Sequence, residues 1–483
     1  MPRDHLDKSP SPGPERDPDQ IASLGHGDSN AERQSSRSWF TPILLCAVYA
    51  IAFIDRSSLG VAGSLIKHDL SLTDTEFGLL GGTAFALLFC VFTVPLGMLS
   101  ARADPRALLV AALVFWSSMT ALSGLATSFS ELAMARLGIG LGEAAFLPAS
   151  MALLRRHVDR RRMGRAVAIV LVGASLGGAA AHVMGGLLLL RLQHGVTVGA
   201  LGIEALAPWR VLFLVAAVPG LLVAPFLLRI PRSASQGRSP IGGVLPDALA
   251  GLWRARHGYA PLTASGACVV ALTQAQAAWL PLFFVTRFGL RPGESAIAVG
   301  GIVAVSASSG QWFGGWLIDR LRRAKLPAAP NTALALCAGC SLGPLVLFCT
   351  TPSLAGAEVS YVAFLFFASA ASPAGLAGWQ ELTRGPQVGV VTAILVSIVT
   401  LLGVGLGTPA IGVLADAVFG ADQLGKALLG VLGTAAVLAS SLALWGRPGF
   451  MAVASAAADD WPERGGAFPI MTNPVGPVAK RQG

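Results

Sequence analysis

Stretches of about 20 apolar residues recur along this chain with scarcely a charge inside them, each long enough to cross a hydrocarbon layer about 30 Å thick as a helix. Only 13% of the 483 residues are charged, whereas soluble domains carry about 25%. The chain cannot cover itself with a wetted surface and must use lipid as its solvent. Twelve spans are expected, at roughly 40–62, 77–100, 107–127, 131–154, 164–190, 210–229, 261–286, 294–318, 330–350, 357–380, 389–415 and 424–446. Strand-like alternation is absent, which argues against an outer-membrane barrel.

Charge placement gives an orientation. With both termini cytoplasmic, the great majority of the 35 Lys and Arg fall in cytoplasmic tails and loops. The opposite side keeps Lys67, Arg191, Arg210, Arg287, Arg291 and Lys426, and Arg56 and Arg136 lie within spans. Such asymmetry predicts cytoplasmic N- and C-termini. The net charge of +9 then reflects basic loops facing an anionic leaflet, with no nucleic-acid partner. Arg far outnumbers Lys and Ala and Gly abound, a composition that suggests a bacterial source and hence the inner (plasma) membrane. All six cysteines sit in apolar segments, and Cys337 and Cys340 share a helix turn without a second ligand pair nearby, so neither a disulfide framework nor a metal or other cofactor is expected. The tails, residues 1–38 and 447–483, read as disordered cytoplasmic segments without a cleavable signal peptide.

The chain also repeats. A cytoplasmic central loop, 230–260, separates a six-span half at 39–229 from another at 261–446. PLGMLSARADPR (95–106) follows the second span and FGGWLIDRLRR (313–323) the eighth. Gly97 aligns with Gly315, Leu99 with Leu317, Ala101 with Asp319, and Arg102 with Arg320. The glycines permit close helix approach at the cytoplasmic end. Tandem six-helix halves imply a pseudo-symmetric transporter with its substrate site between the halves near the midplane.

Few ionisable groups fall deep in the spans: Asp55 and Arg56 in span 1, Arg136 and Glu143 in span 4, and His182 in span 5. A charge at a span's centre costs roughly 2.5–3.5 kcal/mol, so each needs a partner or a wet cavity. Neighbours on a helix point about 100° apart, so Asp55 and Arg56 cannot pair well with each other. Arg136 and Glu143 are separated by about 10 Å along their helix axis. Cross-pairing is therefore expected, Asp55 with Arg136 or Arg56 with Glu143. Together the four sum to zero, and protonating either acid leaves a positive excess that favours an anion. The same pairs can instead simply lock spans 1 and 4 together.

The paired loops resemble the G-x-L-x-D-R signature of the major facilitator superfamily, and the resemblance covers nearly all of 40–446. In the first copy Ala101 replaces the usual Asp, with Asp104 close by, so Asp319 and Arg320 are expected to carry more of the latch between halves. YAIAFIDRSSLGVA, RLGIGLGEAAFLPAS (136–150), WRVLFLVAAVPGLL (209–222), WLPLFFVTRFGL (279–290) and LGTPAIGVLAD (406–416) are similar to the spinster-like branch. The D-R of span 1 and the R-x-G-x-G-x-G-E-A run of span 4 also occur in the anion:cation symporter branch, which imports sugar acids and other carboxylates. Either resemblance implies proton coupling at Asp55 and Glu143 and substrate binding at Arg56 and Arg136. Phe53 and Ile54 stand where the family has a polar pair, which weakens the case for Arg56.

His182 can bind substrate, carry a proton or bond a neighbouring carbonyl. Gln274, Gln276 and Trp279 in span 7 can line the cavity, although the two glutamines point to different faces. The Gly-rich runs SLGGAAAHVMGG and GVGLGTPAIG (403–412) mark close packing and hinges in spans 5 and 11. The expectation is an all-α membrane protein, a monomer in the lipid bilayer, moving a small anionic or amphipathic solute with protons by alternating access. Another class stays open, a receptor or assembly factor that binds without transport. Ala101 leans toward it and the four retained charges lean against it. Nothing supports an enzyme, for no phosphate-cradling loop, nucleophile elbow or metal-ligand spacing is present.

Overall fold

Among the described residues of the computed structural model, eleven helices are long and apolar enough to cross a membrane, and a bent pair supplies a twelfth span. The structure describes residues 18–159, 162–192, 196–198, 203–232, 244–383, 387–420 and 423–459. In chain order the spans are α1 (Trp39–Val61), α2 (Asp74–Ser100), α3 (Pro105–Leu125), α4 (Phe129–His157), α5 (Met163–Arg191) and α6 (Pro208–Leu227). The second half holds α7 (Arg256–Ala278 and Leu280–Phe288), α8 (Pro292–Arg323), α9 (Ala329–Thr350), α10 (Leu354–Leu382), α11 (Val388–Phe419) and α12 (Leu424–Trp445). Every expected span has its counterpart.

Three features depart from the sequence reading. The helix carrying α1 begins at Pro18, and a helix Arg447–Asp459 follows α12, so parts of both tails expected to be disordered are helical. A nucleated helix extends at little further cost, and at the second end Phe450 is buried and supplies an anchor. The outer portions of the tails, 1–17 and 460–483, lie outside the described residues. Between α5 and α6 sits a short antiparallel ribbon, β1 (Val196–Val198) with β2 (Ile203–Leu206), which pairs Val196 with Leu206 and Val198 with Ile203. Finally, the two parts of α7 meet at 55°. Pro281 cannot donate to the carbonyl of Ala277, and the turn Ala275–Ala278 tightens to a 3-10 helix. The Gln276 amide donates to the carbonyl of Thr273 at the break.

The spans form two six-helix bundles. Small residues set the spacing inside each. An added Cβ at Gly177 of α5 would lie 2.1 Å from the Ala50 carbonyl oxygen of α1, and one at Gly314 of α8 would lie 2.0 Å from that of Ala370 in α10. The bundles meet along a symmetric seam in which α5 packs on α8, α2 on α11, and α1 on α7.

One end of the seam is closed. Asp416, on α11, accepts from the backbone N–H of Asp74 at 3.2 Å and from the N–H and hydroxyl of Thr75 at 2.6 Å each. It thereby caps α2 across the interface. Asp74 also pairs with Lys67. Deeper in, Pro409 lacks the N–H that the Gly405 carbonyl would accept in a regular helix. The Thr83 hydroxyl of the other half donates to it instead at 2.6 Å. Trp279 Nε1 donates to the Thr408 carbonyl at 3.0 Å, tying the break in α7 to α11. A single apolar cluster runs through this end and joins Leu59, Phe77 and Leu80 to Trp279 and Ile411. At the opposite end the first half keeps a core of its own around Leu45, Leu109, Leu153 and Leu227.

Candidate functional site

Helical geometry sends Asp55 and Arg56 of α1 to different neighbours. Arg56 turns toward α4, where its Nε donates to Glu143 Oε2 at 2.6 Å and its Nη2 lies 2.5 Å from the same oxygen. This is one of the two cross-pairs expected. The guanidinium also sits 4.3 Å from the Phe85 ring centroid, 5.1 Å from Phe53 and 5.4 Å from Phe89. Arg56 Nη1 forms no hydrogen bond among the described residues, and neither does buried Glu143 Oε1.

Asp55 and Arg136 do not form the other pair. Asp55 is fully buried, and neither carboxylate oxygen has a hydrogen-bond partner among the described residues. Arg136 is also buried, but it donates to backbone oxygens, from Nε to Leu80 and from Nη1 to Asp55, at 3.4 Å each. Its reach is taken up by carbonyls of α1 and of α2, whose helix breaks at Gly82.

The Arg56–Glu143 pair faces a cavity between the two halves. The first half supplies Tyr49, Ala52 and Phe53 from α1, Phe89 from α2, and Phe146 and Leu147 from α4. The second supplies Gln274 at the end of the helical part of α7, with Val396 and Thr400 from α11. Thr400 directly precedes a π-helical turn, Leu401–Leu406, a local widening common at functional sites.

Of the other candidates, all but Gln274 lie elsewhere. Gln274 lines the cavity, but Gln276 is buried, donating to Thr273 and accepting from the Tyr361 hydroxyl at 3.1 Å. Trp279 belongs to the closed seam. His182 Nδ1 bonds the Gly178 carbonyl at 2.8 Å on the α5–α8 seam, where an added Cβ at Gly300 would lie 2.9 Å from His182 Cβ. In the signature loops, Asp104 caps α3 by accepting from the Arg106 N–H at 3.0 Å, and Arg106 Nη1 donates to the carbonyls of Leu228 and Ile230. Arg102 is exposed. Asp319 pairs within its own helix with Arg322 at 3.6 Å, Arg322 reaches Glu381, and Arg320 lies 5.9 Å from the Trp316 ring. Among the described residues the two loops form no hydrogen bond or ion pair with each other. An added Cβ at Gly315 would meet nothing within 4 Å, and one at Gly97 would meet only Pro148 at 3.6 Å. The close approach expected of these glycines is therefore not made in this conformation, in which the opposite end is the closed one.

Sequence reasoning did not single out Phe89, Phe146, Val396 and Thr400, which offer no charge to flag them inside apolar spans. Asp416 was within reach, as an acid directly following an apolar span. Thr83 and Gly405 share a signal too, since Pro409 frees the carbonyl of the residue four places before it.

The fold is similar to that of a bacterial homologue of the human lysosomal transporter Spinster in an inward-facing, unoccupied conformation. The TM-score is 0.72 and the identity 22%, covering 88% of this chain and 99% of that one. An MFS-type efflux pump of Mycolicibacterium smegmatis is 25% identical over 306 residues, 63% of this chain and 67% of the relative. A probable L-galactonate transporter of Escherichia coli is 30% identical over 174 residues, which span 35% of this chain and only 38% of that protein. Residues 45–403 match the family model of the Major Facilitator Superfamily, well over half of the chain, and the chain belongs to that superfamily.

Proposed function

We propose that the chain is a secondary transporter that moves a small organic anion together with a proton by alternating access. Its superfamily and fold are those of transporters rather than enzymes. The observation that carries the reading is the Arg56–Glu143 pair on the wall of a cavity between two pseudo-symmetric halves. The pair is neutral as a unit. An anion entering a site of low dielectric beside it would leave a net negative charge, which is costly away from water. A proton taken by Glu143 cancels that charge and releases Arg56 to bond the carboxylate of the solute. One proton then accompanies one carboxylate.

Asp55 is a second proton carrier in this reading. Sealed from water without a donor, its carboxylate is costly as an anion and far less so when protonated. Arg136 then acts by holding α1 against α2, and its part in anion binding is indirect. The closed end around Asp416 faces away from the cytoplasm, both termini face the cytoplasm, and the protein works as a monomer in a bacterial inner membrane. The name of the L-galactonate transporter supports a carboxylate as cargo.

The test is uptake by proteoliposomes under an imposed pH gradient, acid on the side from which labelled organic acids are offered. Accumulation that collapses with the gradient supports the reading. Binding that depends on pH without any flux would instead assign the protein to the receptor class.

A further inference from the structure

Four rings, those of Tyr49, Phe53, Phe89 and Phe146, stand on the wall around the Arg56–Glu143 pair. Tyr49 and Phe146 stack with centroids 4.7 Å apart and planes 11° from parallel, bridging α1 and α4. Phe53 meets Tyr49 edge-on at 5.2 Å, and Phe89 closes a further side. Beyond the ion pair, the neutral polar side chains on the wall are those of Tyr49, Gln274 and Thr400.

We propose that the solute is a compact monocarboxylate with a flat, apolar body, an aromatic carboxylate for example, rather than a polyhydroxylated sugar acid. This rests on the anion-transport reading and specifies its cargo. Every hydroxyl of a sugar acid gives up water on entering, and one left without a partner in this cavity is penalised. Beside the three neutral polar side chains, the rings of Phe53, Phe89 and Phe146 supply no such partner. They offer offset or edge-to-face contact to another ring and dispersion to any flat hydrocarbon. The cation supply argues for a single carboxylate. Arg56 is the cationic side chain on the cavity wall, and it already neutralises Glu143. A second carboxylate on the solute would stay uncompensated unless a further proton came with it. Glu143 Oε1, buried and without a donor, is the place where the accompanying proton would sit beside the bound carboxylate.

The experiment titrates the full-length protein in lipid nanodiscs with benzoate, cyclohexanecarboxylate, L-galactonate and tartrate at several pH values. Benzoate and cyclohexanecarboxylate should bind at least about tenfold more tightly than either hydroxy acid, a difference of about 1.4 kcal/mol. Phe89→Leu keeps an apolar wall but removes a ring, and should weaken benzoate more than cyclohexanecarboxylate. Val396→Asn adds a hydrogen-bonding group from α11 and should narrow the gap between the classes. Galactonate or tartrate binding as tightly as benzoate overturns this inference and leaves the transport reading standing. No binding of any of the four to protein that still melts cooperatively overturns both.

Discussion

The hydroxyl of Thr83 donates to the carbonyl of Gly405 at 2.6 Å, filling from one half of the molecule the vacancy that Pro409 creates in the other. A helix defect in α11 thus becomes a bond specific to one conformation. Thr83→Val would leave that carbonyl without a partner, at a cost of about 1–3 kcal/mol. Opening of the closed end should become about tenfold more favourable for each 1.4 kcal/mol lost. Asp416→Asn, which weakens the cap on α2, should act in the same direction. Electron–electron distance measurements between labels at Ser130 and Ala355, exposed residues near that end, would read the shift. An unchanged distance distribution in both variants would remove these bonds from the gate.

The ion pair should be tightly coupled energetically. Replacing one partner of a buried pair strands the other, which typically costs about 3–5 kcal/mol. Arg56→Leu and Glu143→Leu should each lower the melting temperature clearly, while the double variant recovers much of the loss. Transport should be lost in all three, so stability and activity separate. Melting temperatures that fall additively would mean that the two side chains act independently.

Asp55 should behave in the opposite way. Neither of its carboxylate oxygens has a donor in good hydrogen-bond geometry, so Asp55→Asn gives up at most a weak interaction with the Thr120 hydroxyl. Thermal stability should hold or rise, while accumulation driven by a pH gradient falls by at least about tenfold, an effect of about 1.4 kcal/mol on the coupled step. Measured exchange of solute without a gradient should survive. If gradient-driven accumulation in the variant matched that of the parent, Asp55 would be a structural residue.

Two glycines give a contrast between conformations. Gly177→Ala drives a methyl group against the Ala50 carbonyl and should destabilise the α1–α5 contact by about 1–3 kcal/mol. Gly315→Ala meets open space and gains helix propensity of about 1 kcal/mol. Gly315→Phe should also fold normally, yet block the approach of the loop-bearing ends that alternating access requires. Melting curves report the first two effects, and uptake against the melting temperature reports the third. Full uptake by Gly315→Phe would show that those ends never close at that position.

Span positions and the duplicated loops were legible because membrane burial writes itself as long apolar runs. Cross-pairing between spans 1 and 4 followed from charge economy in a low dielectric, which left Arg56 with Glu143 as one of two alternatives. What the chain did not disclose was depth. Arg136 and Arg56 look alike in sequence, but Arg136 meets carbonyls near the break at Gly82 while Arg56 meets a carboxylate beside a cavity. Nor did hydropathy separate Phe146, which lines the cavity, from Phe348, which packs in the second half's core. Lipid, protein and cavity all accept the same apolar side chain, so the pattern that finds a span says little about which face is which.

The apolar cluster running from Leu59, Phe77 and Leu80 into Trp279 and Ile411 has a thermal consequence. Opening that end wets these side chains, and hydrating apolar surface raises heat capacity. The balance between conformations must therefore curve with temperature instead of following a straight van't Hoff line. On cooling, the hydrophobic hold on the seam weakens and the closed end yields. A cell growing in the cold would meet this transporter resting in a different posture from one growing warm.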